Sequence, residues 1–188
     1  MMRARVLIAM GVSLAVAGTN IAFADDATEA KALARRFATT LQGELQTALA
    51  DGGPAVAVEV CRTRAPAIAA RLTEESGWRI GRVSLKPRNG ALNAPDEWER
   101  RVLRQFEDRR AAGADSKTLT YAEVTTQNGR ATYRFMQAIP TAAACLMCHG
   151  ATLTPEVAQA LDAAYPGDRA RGYQAGELRG AFTLSKTR

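Results

Sequence analysis

Leu119-Thr120-Tyr121-Ala122-Glu123-Val124-Thr125-Thr126-Gln127-Asn128-Gly129-Arg130-Ala131-Thr132-Tyr133-Arg134-Phe135-Met136-Gln137-Ala138-Ile139 is the stretch that decides the fold. Two β-prone runs, Leu119 to Thr126 and Arg130 to Ile139, flank Asn128-Gly129, a dipeptide that accepts the positive φ angles of a type I′ turn. The reading is an antiparallel hairpin. Upstream the apolar spacing is helical: Ala30, Leu33, Ala34, Phe37, Leu41, Leu45 and Leu49 recur along one face. Gly52-Gly53 closes that helix, and Pro54 opens a second carrying Val56, Val60 and Cys61. Pro66 lacks an N–H and its ring clashes with the carbonyl of Arg62, so this second helix should kink or break just after Cys61. Trp78 to Leu85 reads as a strand, followed by a loop from Lys86 to Gly90. Pro95-Asp96 starts a helix with Trp98, Val102 and Phe106 inward, Thr154-Pro155 starts another, and Leu178 to Leu184 reads as a last strand. The order predicts an α+β domain, an antiparallel sheet with flanking helices and a long N-terminal helix.

Just beyond the hairpin stands Cys145-Leu146-Met147-Cys148-His149. This C-x-x-C-H spacing marks covalent attachment of one c-type haem. Two thiols one helical turn apart can add to the two vinyl groups of a porphyrin edge, and the histidine that follows can bind the iron. The chain has three Cys and one His, so a chance match is expected only roughly 3 × 10⁻⁴ times. A thioredoxin-like dithiol would need a βαβ setting, and none precedes the pair. A Cys₃His zinc site would need Cys61, Cys145, Cys148 and His149 together, yet neighbouring residues such as Cys148 and His149 rarely reach two corners of one tetrahedron.

The compartment expected from the N-terminus agrees. Arg3 and Arg5, the apolar run Val6 to Gly18 and Ala22-Phe23-Ala24 read as a signal peptide over residues 1–24, cleaved before Asp25. That leaves a single haem-binding domain over residues 25–188, expected in the periplasm without stable membrane insertion. Its net charge, after loss of Arg3 and Arg5 from 25 basic against 19 acidic residues, is a mild +4. Basic pairs interleave with Glu and Asp, as on solvated helix faces, and no nucleic-acid motif occurs.

Because His149 is unique, a bis-histidine haem cannot form within one chain. Candidates for the second axial ligand are Met136, Cys61, a Lys or Tyr, or an open position. Cys61 is the odd cysteine once the other two hold haem, and inert burial competes with ligation. For the propionates, Lys86, Arg88 and Asn89 offer cationic or hydrogen-bonding groups. Trp78 and Phe135 read first as core residues and second as porphyrin contacts.

Several stretches in order resemble a PAS-like c-type haem domain family, formerly known only as a domain of unknown function. They are Val58-Glu59-Val60-Cys61 with Ala65-Pro66-Ala67-Ile68-Ala69, Gly77-Trp78-Arg79-Ile80-Gly81-Arg82, and Ser84-Leu85-Lys86-Pro87-Arg88-Asn89. Asn93-Ala94-Pro95-Asp96, Pro140-Thr141, Gly172-Tyr173 and Leu178-Arg179-Gly180-Ala181-Phe182 extend the match over nearly all of residues 28–184. The resemblance implies a PAS-like domain with thioethers at Cys145 and Cys148, proximal His149 and distal Cys61. An anionic sulfur would favour ferric iron and lower the reduction potential, and its release could admit a small gaseous ligand. The expected role is redox or small-ligand sensing, with an unidentified redox partner. A His/Met electron carrier is the alternative, and a peroxidase-type enzyme comes last because no second histidine exists.

Overall fold

The computed structural model describes residues 18–188, with side chains from Ala24 onward. Most of the expected signal segment therefore lies outside the described residues. Helix α1 (Gly18–Glu59) carries the long apolar face and is interrupted at Gly53, whose φ of 70° and ψ of −166° are not helical. That is where Gly52-Gly53 followed by Pro54 predicted an end and a restart. A π-helical turn (Val60–Arg64) leads into α2 (Ala65–Ser76), then strand β1 (Arg79–Val83). The short α3 (Gly90–Asn93) precedes α4 (Glu97–Ala111), whose start is fixed by a capping box between Asp96 and Glu99.

Strands β2 (Thr120–Gln127) and β3 (Arg130–Pro140) form the expected hairpin, pairing Gln127 with Arg130. Asn128 and Gly129 both take positive φ, 51° and 75°, as a type I′ turn requires. The one-turn helix α5 (Leu146–His149), α6 (Pro155–Ala164) and β4 (Leu178–Thr187) complete the chain. The sheet is antiparallel throughout, in the order β1-β4-β3-β2. Among the described residues no helix is long and apolar enough to cross a membrane.

Each sheet face has its own core. On one, Ile80, Tyr133, Phe135, Phe182 and Leu184 pack against Phe37, Ile68 and Leu72 of α1 and α2. On the other, Val83, Met136, Ala138 and Ala181 pack against Trp98, Val102, Leu103 and Phe106, all from α4. The split follows from strand geometry, since neighbours such as Phe135 and Met136 must point to opposite faces. Both expected core aromatics, Trp78 and Phe135, are fully buried in the first cluster. Gly180 lets β4 lie close to the end of β1: a β-carbon there would overlap the Val83 carbonyl oxygen. Gly180→Ala is expected to destabilise the domain by about 2 kcal/mol through overpacking, read as a lower urea midpoint at constant slope.

Candidate functional site

The feature that presents Cys61 is the π-helical turn. Its closing bond runs from the Ala65 N–H to the Val60 carbonyl, five residues back. Pro66 cannot donate to Arg62, and where the sequence predicts a kink or break the chain absorbs the defect as a π-bulge. Ion pairs at 2.7 Å, Arg62 with Glu59 and Arg64 with Glu44, pin the solvent side of the turn. Cys61 is half-buried and comes within electrostatic reach of Cys145 and Cys148, more than 80 residues away in sequence.

The motif itself is strapped down by the chain that follows α6. Tyr173 N–H donates to the His149 carbonyl at 2.9 Å, and Gly172 N–H to that of Gly150 at 3.0 Å. The His149 Nδ1 lies 2.8 Å from the Ala170 carbonyl, which can only accept, so Nδ1 carries the proton and donates. This leaves Nε2 unprotonated. Arg179 Nε stands 3.2 Å from the same Nδ1 as a packing neighbour, since a protonated nitrogen cannot also accept. Burial, with Arg179 and Arg88 nearby, pushes the His149 pKa down to about 3, so the imidazole is neutral at ordinary pH. Tyr173 also packs edge-on to the ring, with centroids 6.3 Å apart.

Arg88 organises this region. Its guanidinium donates to the Cys148 carbonyl, to the Ala170 carbonyl at 3.1 Å and to Asp168 Oδ1 at 3.2 Å. The side chains of Arg88 and Asp168 are only 7% and 2% exposed, so this is a buried pair. Asp168 also accepts from Arg171 at 2.8 Å and from the Ala170 N–H at 2.8 Å. One arginine thus grips both the motif backbone and the carbonyl that orients His149.

The three residues offered for the propionates are placed differently from one another. Arg88 is committed to the protein, and Asn89 accepts from Leu92 N–H at 3.2 Å as the cap of α3. Lys86 is exposed, with Nζ 5.1 Å from the Tyr173 ring centre. Met136 lies on the α4 side of the sheet, whereas Val60, beside Cys61, packs on the opposite face. Met147, inside the motif, is 46% exposed. Asp168, Ala170 and Tyr173, together with Arg82 and Arg179, are the participants that sequence reasoning missed. Arg82, Tyr173 and Arg179 fell within the matched stretches, yet nothing local marked what they touch.

The donors fit a c-type haem. The two motif thiols are free, the imidazole is neutral with its outer nitrogen fixed, and a third thiol approaches from the π-helical turn. Among the described residues no group of three or more His, Cys, Asp or Glu side chains is arranged to hold a metal ion.

A family model described as Tll0287-like matches residues 16–186. Among solved structures, the chain is similar to the crystal structure of the cyanobacterial haem protein Tll0287. The TM-score is 0.54 at 23% identity, covering 66% of this chain and 70% of that one. No curated protein matches the chain.

Proposed function

Because this chain belongs to the Tll0287-like family, we propose that it is a periplasmic mono-haem c-type protein acting in redox or small-ligand sensing. The family resemblance read from the sequence and the α+β, PAS-like fold are both borne out. Cys145 and Cys148 would carry the two thioethers, with His149 and Cys61 as axial donors. When bound, haem supplies one-electron redox chemistry and, if an axial position opens, binding of a small ligand.

The observation that carries the reading is the state of His149. Its Nδ1 donates to Ala170 and leaves a neutral Nε2, the arrangement expected of a metal-binding imidazole with its outer shell in place. Arg88 ties the Cys148 main-chain carbonyl to the Ala170 carbonyl that orients His149. Enzymatic turnover forms no part of the proposal. With His149 the only histidine, an acid–base group would have to be an arginine or a carboxylate, and buried Asp168 is already held by Arg88 and Arg171.

Expression with residues 1–24 in a bacterial host that matures c-type cytochromes tests the proposal. Periplasmic fractions should contain a chain beginning at Asp25 that keeps haem through denaturing electrophoresis. Its pyridine haemochrome should show one c-type haem per chain, and the Cys145→Ala/Cys148→Ala variant should lose covalent retention. Haem that extracts freely from the wild type would sink the covalent assignment.

A further inference from the structure

On the α4 side of the sheet lies a cleft of about 360 Å³. Leu103, Glu107 and Arg110 line it from one face of α4, at helical spacing. Lys86 borders it from the loop after β1, Leu178 from the start of β4, and Arg169 and Tyr173 from the segment after α6. Three cations therefore converge on one cavity. Among the described residues, none of Lys86, Arg110 and Arg169 forms an ion pair. The Arg110 Nε is buried and has no hydrogen-bond partner. Arg169 is fixed through its main chain, whose N–H donates to the Pro87 carbonyl at 3.1 Å. Glu177 also faces the cleft, but its Oε2 accepts from the Gln174 N–H at 3.0 Å.

A buried guanidinium nitrogen without an acceptor has lost water and gained nothing in return. An anion seated in the cleft supplies the missing acceptor, and a carboxylate matches the planar fork of an arginine. The lining limits how much charge that anion carries. Three cations against the two carboxylates Glu107 and Glu177 leave one net positive charge, which suits a single carboxylate and opposes a dianion. Leu103 and Leu178, both buried, add an apolar wall. We propose that this cleft binds a small organic monocarboxylate, its charge on Arg110 and Lys86 and its apolar body against Leu103 and Leu178. The cavity volume lies in the range of small-molecule sites. The inference goes beyond the haem reading and does not depend on it, since none of Cys61, Cys145, Cys148 and His149 lines the cleft.

The test is isothermal titration of holoprotein with benzoate and hexanoate, beside their neutral amides and the dianion phthalate. At least one of the two monocarboxylates should bind saturably at one site per chain, with its amide and phthalate at least tenfold weaker. Arg110→Met should weaken that binding at least tenfold. The melting temperature of the ligand-free variant should be unchanged or raised, because Arg110 has no partner to lose. Arg110→Lys should recover part of the affinity. Should Arg110→Met fold poorly, Lys86→Met alters an exposed side chain and carries the same expectation of weaker binding. No saturable binding of either monocarboxylate overturns the proposal, as does binding that both Arg110→Met and Lys86→Met leave intact. Phthalate or an amide binding as tightly as the monocarboxylate overturns the assigned ligand class.

Discussion

Replacing Cys61 by serine is expected to raise the haem midpoint potential by on the order of 100 mV, within the roughly 0.8 V over which axial ligands act. An anionic sulfur stabilises the ferric state, and a serine hydroxyl stays protonated and binds iron poorly. In the protein alone, burial pushes the Cys61 thiol up, and the charges of Arg82, Arg88 and Arg179 only partly oppose this. A thiolate at Cys61 would therefore depend on a bound metal, which deprotonates a coordinated thiol. The ferric spectrum of the variant should lose its thiolate features while the haem stays attached through Cys145 and Cys148. Met136→Leu is the matching control. Met136 is fully buried among Trp98, Val102 and Phe106, so its volume-conserving replacement should leave spectrum and potential in place. A Cys61→Ser protein with an unchanged midpoint, beside a Met136→Leu protein with an altered one, would reverse the assignment.

Arg88→Met should cost about 3 kcal/mol of stability, because it strands a buried carboxylate and removes donors from two backbone carbonyls. For a chain of this size that corresponds to roughly 6–12 °C in melting temperature. Arg171 still holds the other oxygen of Asp168, which keeps the loss at the lower end for a broken buried pair. Adding Asp168→Asn should return part of the stability, since the stranded charge is then gone.

The pH dependence follows from the same group. Burial pushes the Asp168 carboxyl up, but Arg171, the Ala170 N–H and Arg88 outweigh it and hold the pKa below the ordinary carboxylate value. Its contribution is thus present above the unfolded-state pKa and lost as pH falls through the lowered one. In Arg88→Met that acid-side loss should begin at higher pH, visible in melting curves taken across an acidic pH series. Equal acid sensitivity in the two proteins would remove Arg88 from this role.

Where the chain signals locally, the sequence was a good guide. The Asn128-Gly129 turn, the interruption at Gly53 and the Thr154 cap all formed as expected. Pro66 was read as a kink or break just after Cys61, and the disturbance stands there as a π-bulge. Whether a helix breaks or takes a π-bulge depends on whether both sides stay packed, and here α1 and α2 share one cluster. The role of Arg88 could not be read at all, because its carboxylate partner is 80 residues downstream.

By itself, the sequence determined the hairpin, the order of helices and strands, and the adjacency of two thiols and a histidine, because each depends on residues within a few positions. The placement of Cys61 and Met136 on opposite sides of the sheet belonged to the tertiary structure. Alternation makes Phe135 and Met136 point to opposite faces, but both faces are covered by helices, and only the packing of α4 against one of them separates Met136 from Cys61.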